Sequence, residues 1–166
     1  MTKIIVLNSE KDDDAKKIAW MKKELEKRDL DIISPKITDN SFEEWDPVFK
    51  DLMKELTPDT IIFAKGLHVQ YLLKEFETRP IGIKGVFLVL DSAVQKNIVD
   101  INYNTTKKKA IKFFVYTFQS VNGFPQDDGE KIANQLETEL FILEGANDNS
   151  DYEEILIDII SLEHQA

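Results

Sequence analysis

Short apolar runs alternate with stretches of helical spacing from one end of the sequence to the other, and no other feature limits the fold so tightly. Lys3 to Leu7 reads as a strand, followed by a helix over Asp12 to Arg28 with Ala15, Ile18, Met21 and Leu25 on one face. Asp31 to Ser34 is a short second strand ended by Pro35. Ser41 and Glu44 have capping-box spacing ahead of a helix carrying Phe42, Trp45, Phe49, Leu52 and Leu56. Thr60 to Ala64 is a third strand. Val69, Leu72, Leu73 and Phe76 mark a helix closed by Arg79-Pro80. Val86 to Leu90 is almost wholly apolar, as the middle of a covered parallel sheet requires. Phe113 to Phe118 is a fifth strand, Asn122-Gly123 with Pro125 a loop, and Ile132, Ala133, Leu136 and Leu140 a helix. Leu140 to Leu143 is a sixth strand, and a capping box at Ser150 and Glu153 opens a last helix. Asp91 to Lys109 carries no clear period. Strand and helix in alternation imply a mostly parallel sheet with helices on both faces.

The 166 residues suit one domain, residues 1–166, with one core. No apolar run approaches the ~20 residues that cross a bilayer. The apolar start of the chain, Ile4 to Leu7, is too short for a signal sequence, so a cytoplasmic protein is expected. Cysteine is absent, which removes disulfides, thiolate nucleophiles, iron–sulfur clusters and cysteine-based zinc sites. With 21 basic and 31 acidic residues the net charge is −10, which repels nucleic-acid phosphates and anionic lipids. Neither nucleic acid nor membrane is expected as a partner. The one basic run, Lys107-Lys108-Lys109, reads as a solvated face.

Cofactor and metal motifs fail one by one. None of the six glycines forms a phosphate-cradling or dinucleotide-binding turn, and the first strand runs into Asn8-Ser9 without glycine. Asn147, Asn149, Asp151 and Asp158 echo a calcium loop. Its sixth position is Tyr152 rather than glycine, and its twelfth is Asp rather than Glu. Asp12, Asp13 and Asp14 read as charges at a helix start, because adjacent residues on a helix do not converge. No metal and no cofactor are expected.

The junction after the third strand is the informative place. Asp59-Thr60-Ile61-Ile62, then Ala64-Lys65-Gly66-Leu67-His68, resembles the nucleophile elbow of an α/β hydrolase. Gly85-Val86-Phe87-Leu88-Val89-Leu90 falls where the next strand belongs. Trp20, Leu25, Glu44-Trp45, Ile132-Ala133 and Leu136 to Leu140 extend the likeness over nearly the whole chain. The sequence resembles the small serine hydrolases of the retinoblastoma-binding-protein-nine and YdeN type. They read Asp-Thr-Ile-Ile-x-Gly-His-Ser-x-Gly at the elbow. The resemblance implies a three-layer α/β/α sandwich, a minimal hydrolase-like fold without a lid, with six strands in the order 2-1-3-4-5-6.

The same resemblance implies that the catalytic triad is gone. The nucleophile position is Gly66, and the small residues flanking it are replaced by Ala64 and His68. The acid position falls in Ser120 to Pro125, at Asn122, and the histidine position in Gly145 to Asn149, at Asp148. The loop after the first strand, His-Gly in the family, is Asn8-Ser9. A triad works as a unit, so three losses at three loops point to a non-catalytic protein that binds a protein partner or a small ligand. The vestigial cleft would comprise Asn8, Ser9, Ala64, Lys65, Gly66, Leu67, His68 and Ser92. In it Lys65 is expected as an exposed lysine, or as a charge holding an anion at the helix start. His68 is expected as a partly exposed residue there. Two other classes remain open. One is a hydrolase of small esters or amides with a relocated nucleophile, Ser9 or Ser92. The other is an interaction module marked by an exposed apolar patch away from the strand ends.

Overall fold

The computed structural model describes residues 2–35, 42–78, 82–91, 101–119 and 126–165. Strands β1 (Lys3–Leu7), β2 (Asp31–Ile33), β3 (Ile61–Lys65), β4 (Ile83–Leu90), β5 (Ala110–Phe118) and β6 (Leu140–Leu143) form a six-stranded sheet in the order β2-β1-β3-β4-β5-β6. Every pairing is parallel, where the sequence implied only that most would be. Helices α1 (Ala15–Glu26) and α6 (Ser150–Glu163) cover one face. Helices α2 (Phe42–Met53), α3 (Leu67–Phe76), α4 (Tyr103–Thr106) and α5 (Gln126–Gln135) cover the other. The order and the three layers are those implied by the sequence.

The two-residue period of a strand decides which core each side chain joins. On β3, Ile61 and Phe63 enter the α1/α6 core, while Ile62 and Ala64 enter the other. On β4, Phe87 and Val89 share the α1/α6 side, and Phe87 stacks on Phe114 of β5 at 4.4 Å. All five residues of β3 are buried, and the first four, Ile61 to Ala64, are apolar as a strand covered on both faces requires. On the opposite face Trp45 of α2 stacks on Phe49 at 4.5 Å, one turn further along the helix. Gly85 has a packing reason: a Cβ there would collide with Leu162 of α6, so the missing side chain lets that helix lie against β4.

Several boundaries differ from the sequence reading. Helix α1 starts at Ala15 rather than Asp12, because the acidic triplet forms a turn in which Asp12 Oδ1 accepts from the Asp14 amide at 2.8 Å. Lys65 belongs to β3, and β4 and β5 begin three residues earlier than their apolar runs. The unreadable stretch contains α4 and the approach to β5. The box at Ser150 and Glu153 does not form. Asn149 is the helix cap, and Ser150 donates through its amide and hydroxyl to Asp148 Oδ1. The box at Ser41, the Arg79-Pro80 stop and the Asn122-Gly123-Pro125 loop involve positions outside the described residues. Among the described residues, no helix is long and apolar enough to cross a membrane.

Candidate functional site

The C-terminal ends of β1, β3 and β4 meet the first turns of α1 and α3, the edge at which open parallel sheets bind ligands. At their centre the β3–α3 junction makes a sharp turn. Gly66 has φ 66° and ψ −133°, a region strained for residues with a side chain. Its amide donates to the Val89 carbonyl at 3.0 Å, and its carbonyl accepts from the Val69 amide at 3.1 Å. The turn is therefore held from β4 on one side and from α3 on the other. A Cβ at Gly66 would sit 3.4 Å from Asp91 Oδ2, an ordinary contact, so the turn has room for a side chain that the sequence does not supply. The backbone has the strained strand-to-helix form of a nucleophile elbow, with glycine at its apex.

Strand periodicity then explains Lys65. It lies two residues beyond Phe63, so it leaves the sheet on the α1/α6 side, and Asp91, two beyond Val89, leaves on the same side. Lys65 is 3% exposed. Its Nζ donates to Asp12 Oδ1 and Oδ2 at 2.8 and 2.7 Å and to Asp91 Oδ2 at 2.9 Å, with Asp14 Oδ2 at 3.9 Å. Tyr152 of α6, fully buried, donates its hydroxyl to Asp14 Oδ2 at 2.6 Å. The net effect holds Lys65 above its ordinary value: burial opposes the charge, and Asp91 and Asp12 outweigh it. Burial and the bond to Asp14 push the Tyr152 phenol well above its ordinary range, so it stays a donor.

Two expectations about Lys65 are overturned by this geometry. It is neither exposed nor free to hold an anion, because carboxylates of its own chain occupy its ammonium. The rule that adjacent acidic residues do not converge fails here because Asp12 and Asp14 precede the helix, and the turn between them aims both at Lys65. Asp12, Asp14, Asp91 and Tyr152 are the site residues that sequence reasoning missed. The signal available was the strand parity of Lys65, which directs it toward the start of α1.

His68, expected to be partly exposed, is 1% exposed, and neither ring nitrogen has a hydrogen-bond partner. Its ring stands edge-on to Tyr71 at 6.1 Å. Burial pushes it down to about 4; nearby Asp91 works against that and Lys65 adds to it. The imidazole is neutral at physiological pH and no carboxylate orients it, unlike the base of a catalytic triad.

The remaining expected residues scatter. Ala64 is buried in the α2–α5 core, and Leu67 opens α3 half-buried. Asn8 is half-buried and donates to the Ser9 carbonyl at 3.3 Å. Ser9 is buried, its hydroxyl oxygen accepting from the Lys11 amide at 3.2 Å. Asp148 is exposed and bonded to Ser150, whose hydrogen bonds hold its carboxyl below the usual range. Asn122 and Ser92 lie outside the described residues. The structure thus brings Lys65, Gly66 and His68 to one junction, adds Asp91 to them, and engages Asp148 elsewhere. Among the described residues, no group of three or more His, Cys, Asp or Glu side chains is placed to hold a metal ion.

Comparison with solved structures agrees with this architecture. The ydeN gene product of B. subtilis superposes with a TM-score of 0.78 at 13% identity, covering 98% of each chain. A proposed YdeN-like hydrolase of Pectobacterium atrosepticum gives a TM-score of 0.66, also at 13% identity, covering 98% of this chain and 90% of that one. The fold is therefore the α/β-hydrolase type of the YdeN structures. No protein-family model and no curated protein sequence matches the chain.

Proposed function

We propose that this chain is a hydrolase-like protein without catalysis, acting by binding a protein partner or a small ligand at the edge where serine hydrolases of this fold do chemistry. The observation that carries the reading is Gly66: it holds the strained elbow turn and offers no atom that can attack a carbonyl. The surroundings support it. His68 has no hydrogen-bond partner to orient it as a base, and Asp91 is bonded to Lys65. Ser9, the candidate relocated nucleophile within the described residues, is buried with its hydroxyl oxygen accepting from the Lys11 amide in the β1–α1 turn.

The same cluster indicates what would bind there. Three carboxylates around one ammonium leave this end of the sheet negative. A neutral or cationic group suits that end and an anionic one does not. An interaction module using an apolar patch has weaker support. Among the described residues the large exposed hydrophobics Ile111, Ile142 and Ile157 stand on three different elements, β5, β6 and α6.

The test is intact-mass analysis after treatment with a fluorophosphonate probe, beside a serine hydrolase of the same fold with its triad intact. No mass shift here, with full labelling of the control, is the expected result. A stoichiometric shift would establish an activated serine, with Ser9 and Ser92 the first positions to map, and the binding-only reading would fall.

A further inference from the structure

The end of the sheet opposite the elbow, where the strands begin, carries an open edge. Strand β5 pairs with β4 from Ala110 onward, but with β6 only from Val115, which faces Leu140. The Ile83 amide donates to the Lys109 carbonyl at 3.1 Å, so residues in step with Lys109 direct their backbone groups to β4. Ala110 and Lys112 are out of step and direct theirs to the other side, where β6 has not begun. Thr138, just before β6, donates its hydroxyl to the Phe113 carbonyl at 2.7 Å. Among the described residues, no strand lies across from Ala110 to Lys112 on that side. A cleft of about 460 Å³ runs there instead, walled by Leu136, Glu137 and Thr138.

Backbone donors and acceptors left open on a strand edge are a template for another extended chain. The side chains around this edge say which kind. Ile111 stands 83% exposed on it. Lys108 and Lys112 are exposed and line the cleft, with Lys112 Nζ 5.0 Å from the centre of the Phe114 ring. Neither lysine holds a carboxylate among the described residues, whereas Glu137 in the wall is held by Lys107 at 2.9 Å. On a chain of net charge −10 this edge is therefore basic. The outermost strands are not: β2 begins at Asp31, and β6 runs between Glu139 and Glu144. Lysines on an open edge oppose pairing with the same edge of a second copy, because like charges would face each other. They favour an extended segment bearing Asp or Glu, and Ile111 offers it an aliphatic contact.

We propose that the open edge of β5, Ala110 to Lys112, takes up an extended acidic segment of a partner protein as an added strand, its backbone bonded to Ala110 and Lys112 and its carboxylates facing Lys108 and Lys112. The surface is separate from the elbow, and the proposal does not rest on the absence of catalysis there.

The test titrates ¹⁵N-labelled protein with a short peptide of alternating glutamate and valine, and follows amide shifts and hydrogen exchange. Its controls are a lysine–valine peptide, the glutamate peptide N-methylated along its backbone, and a short oligothymidylate. The glutamate peptide should shift the Ala110 and Lys112 amides saturably and slow their exchange, while Ile62 in the central strand stays still. The three controls should do neither. Lys108→Glu combined with Lys112→Glu should weaken the glutamate peptide by about tenfold or more, since like charges would then meet at the edge. Shifts without slowed exchange, or equal binding of the N-methylated peptide, would mean side-chain attraction without an added strand and overturn the proposal. Equal binding of the lysine peptide or the oligothymidylate would overturn it too. So would slowed exchange that appears with rising protein concentration alone, which would make a second copy the occupant. The peptide comparisons on the unaltered protein decide the matter even if the double variant folds poorly.

Discussion

Lys65 and His68 lie three residues apart on either side of the elbow, both buried and both polar, yet their surroundings are opposite. Lys65, last on β3, leaves the sheet toward α1 and α6, where it meets three carboxylates. His68, on the first turn of α3, is 1% exposed with no partner for either ring nitrogen. Burial alone therefore does not set a group's charge; the available partners do. The same turn keeps one residue ionised and the other neutral.

The largest effect should come from removing the ammonium. Lys65→Met should destabilise the fold by about 3 kcal/mol, since it leaves three half-buried carboxylates without their shared cation, and chemical denaturation would measure it. Combining it with Asp12→Asn and Asp91→Asn should recover most of the loss. A triple variant no more stable than Lys65→Met alone would show that the lysine matters for something other than charge balance. The sign of the pH dependence follows: the folded-state pKa of Lys65 is raised, so its contribution is present below the unfolded value of 10.5 and fades as pH climbs through the folded one.

His68 responds in the other direction. Its folded-state value of about 4 against 6.5 means that the unfolded chain binds the proton first, so stability falls as pH drops from 6.5 toward 4. At about 1.36 kcal/mol per pH unit the loss from this group reaches about 3 kcal/mol. His68→Leu should abolish that slope in denaturation curves taken at about pH 7, 5.5 and 4. An unchanged slope would mean that the imidazole reaches a partner or water in solution.

Tyr152→Phe probes the same contrast from the satisfied side. It removes one charge-assisted hydrogen bond from Asp14, and a loss of about 2 kcal/mol is expected in thermal or denaturant unfolding. Gly66→Ser puts a hydroxyl at the apex of the elbow turn. It should cost about 1–2 kcal/mol for a side chain at positive φ and still give no fluorophosphonate adduct, because nothing orients His68 as its base. An adduct on the introduced serine would show that the site needs only a hydroxyl to become active.

The layers of the fold were legible because the middle strands are buried on both faces and therefore read as apolar runs. Strand order came from family likeness instead, since hydrophobic periodicity carries no information about neighbours in a sheet. At the site, the sharp turn at Gly66 was legible, because it falls in register with Asp59 to Ile62 just after the third strand. The carboxylate cluster was not legible. It depends on a turn just before α1 and on a tertiary meeting of β3, β4 and α6, none of which leaves a spacing pattern along the chain. The burial of His68 was hidden for the same reason: one histidine at a helix start reads alike whether water or protein covers it.

The ammonium of Lys65 amounts to a tethered counter-ion. A free cation among three carboxylates would leave on dialysis, yield to a chelator and exchange with salt. An ion fixed to β3 by its own side chain has a local concentration that dilution cannot lower, and it lies where added electrolyte screens little. The elbow end of this protein should therefore keep its shape from dilute buffer to high salt. Any salt sensitivity in its behaviour would trace to its acidic outer surface.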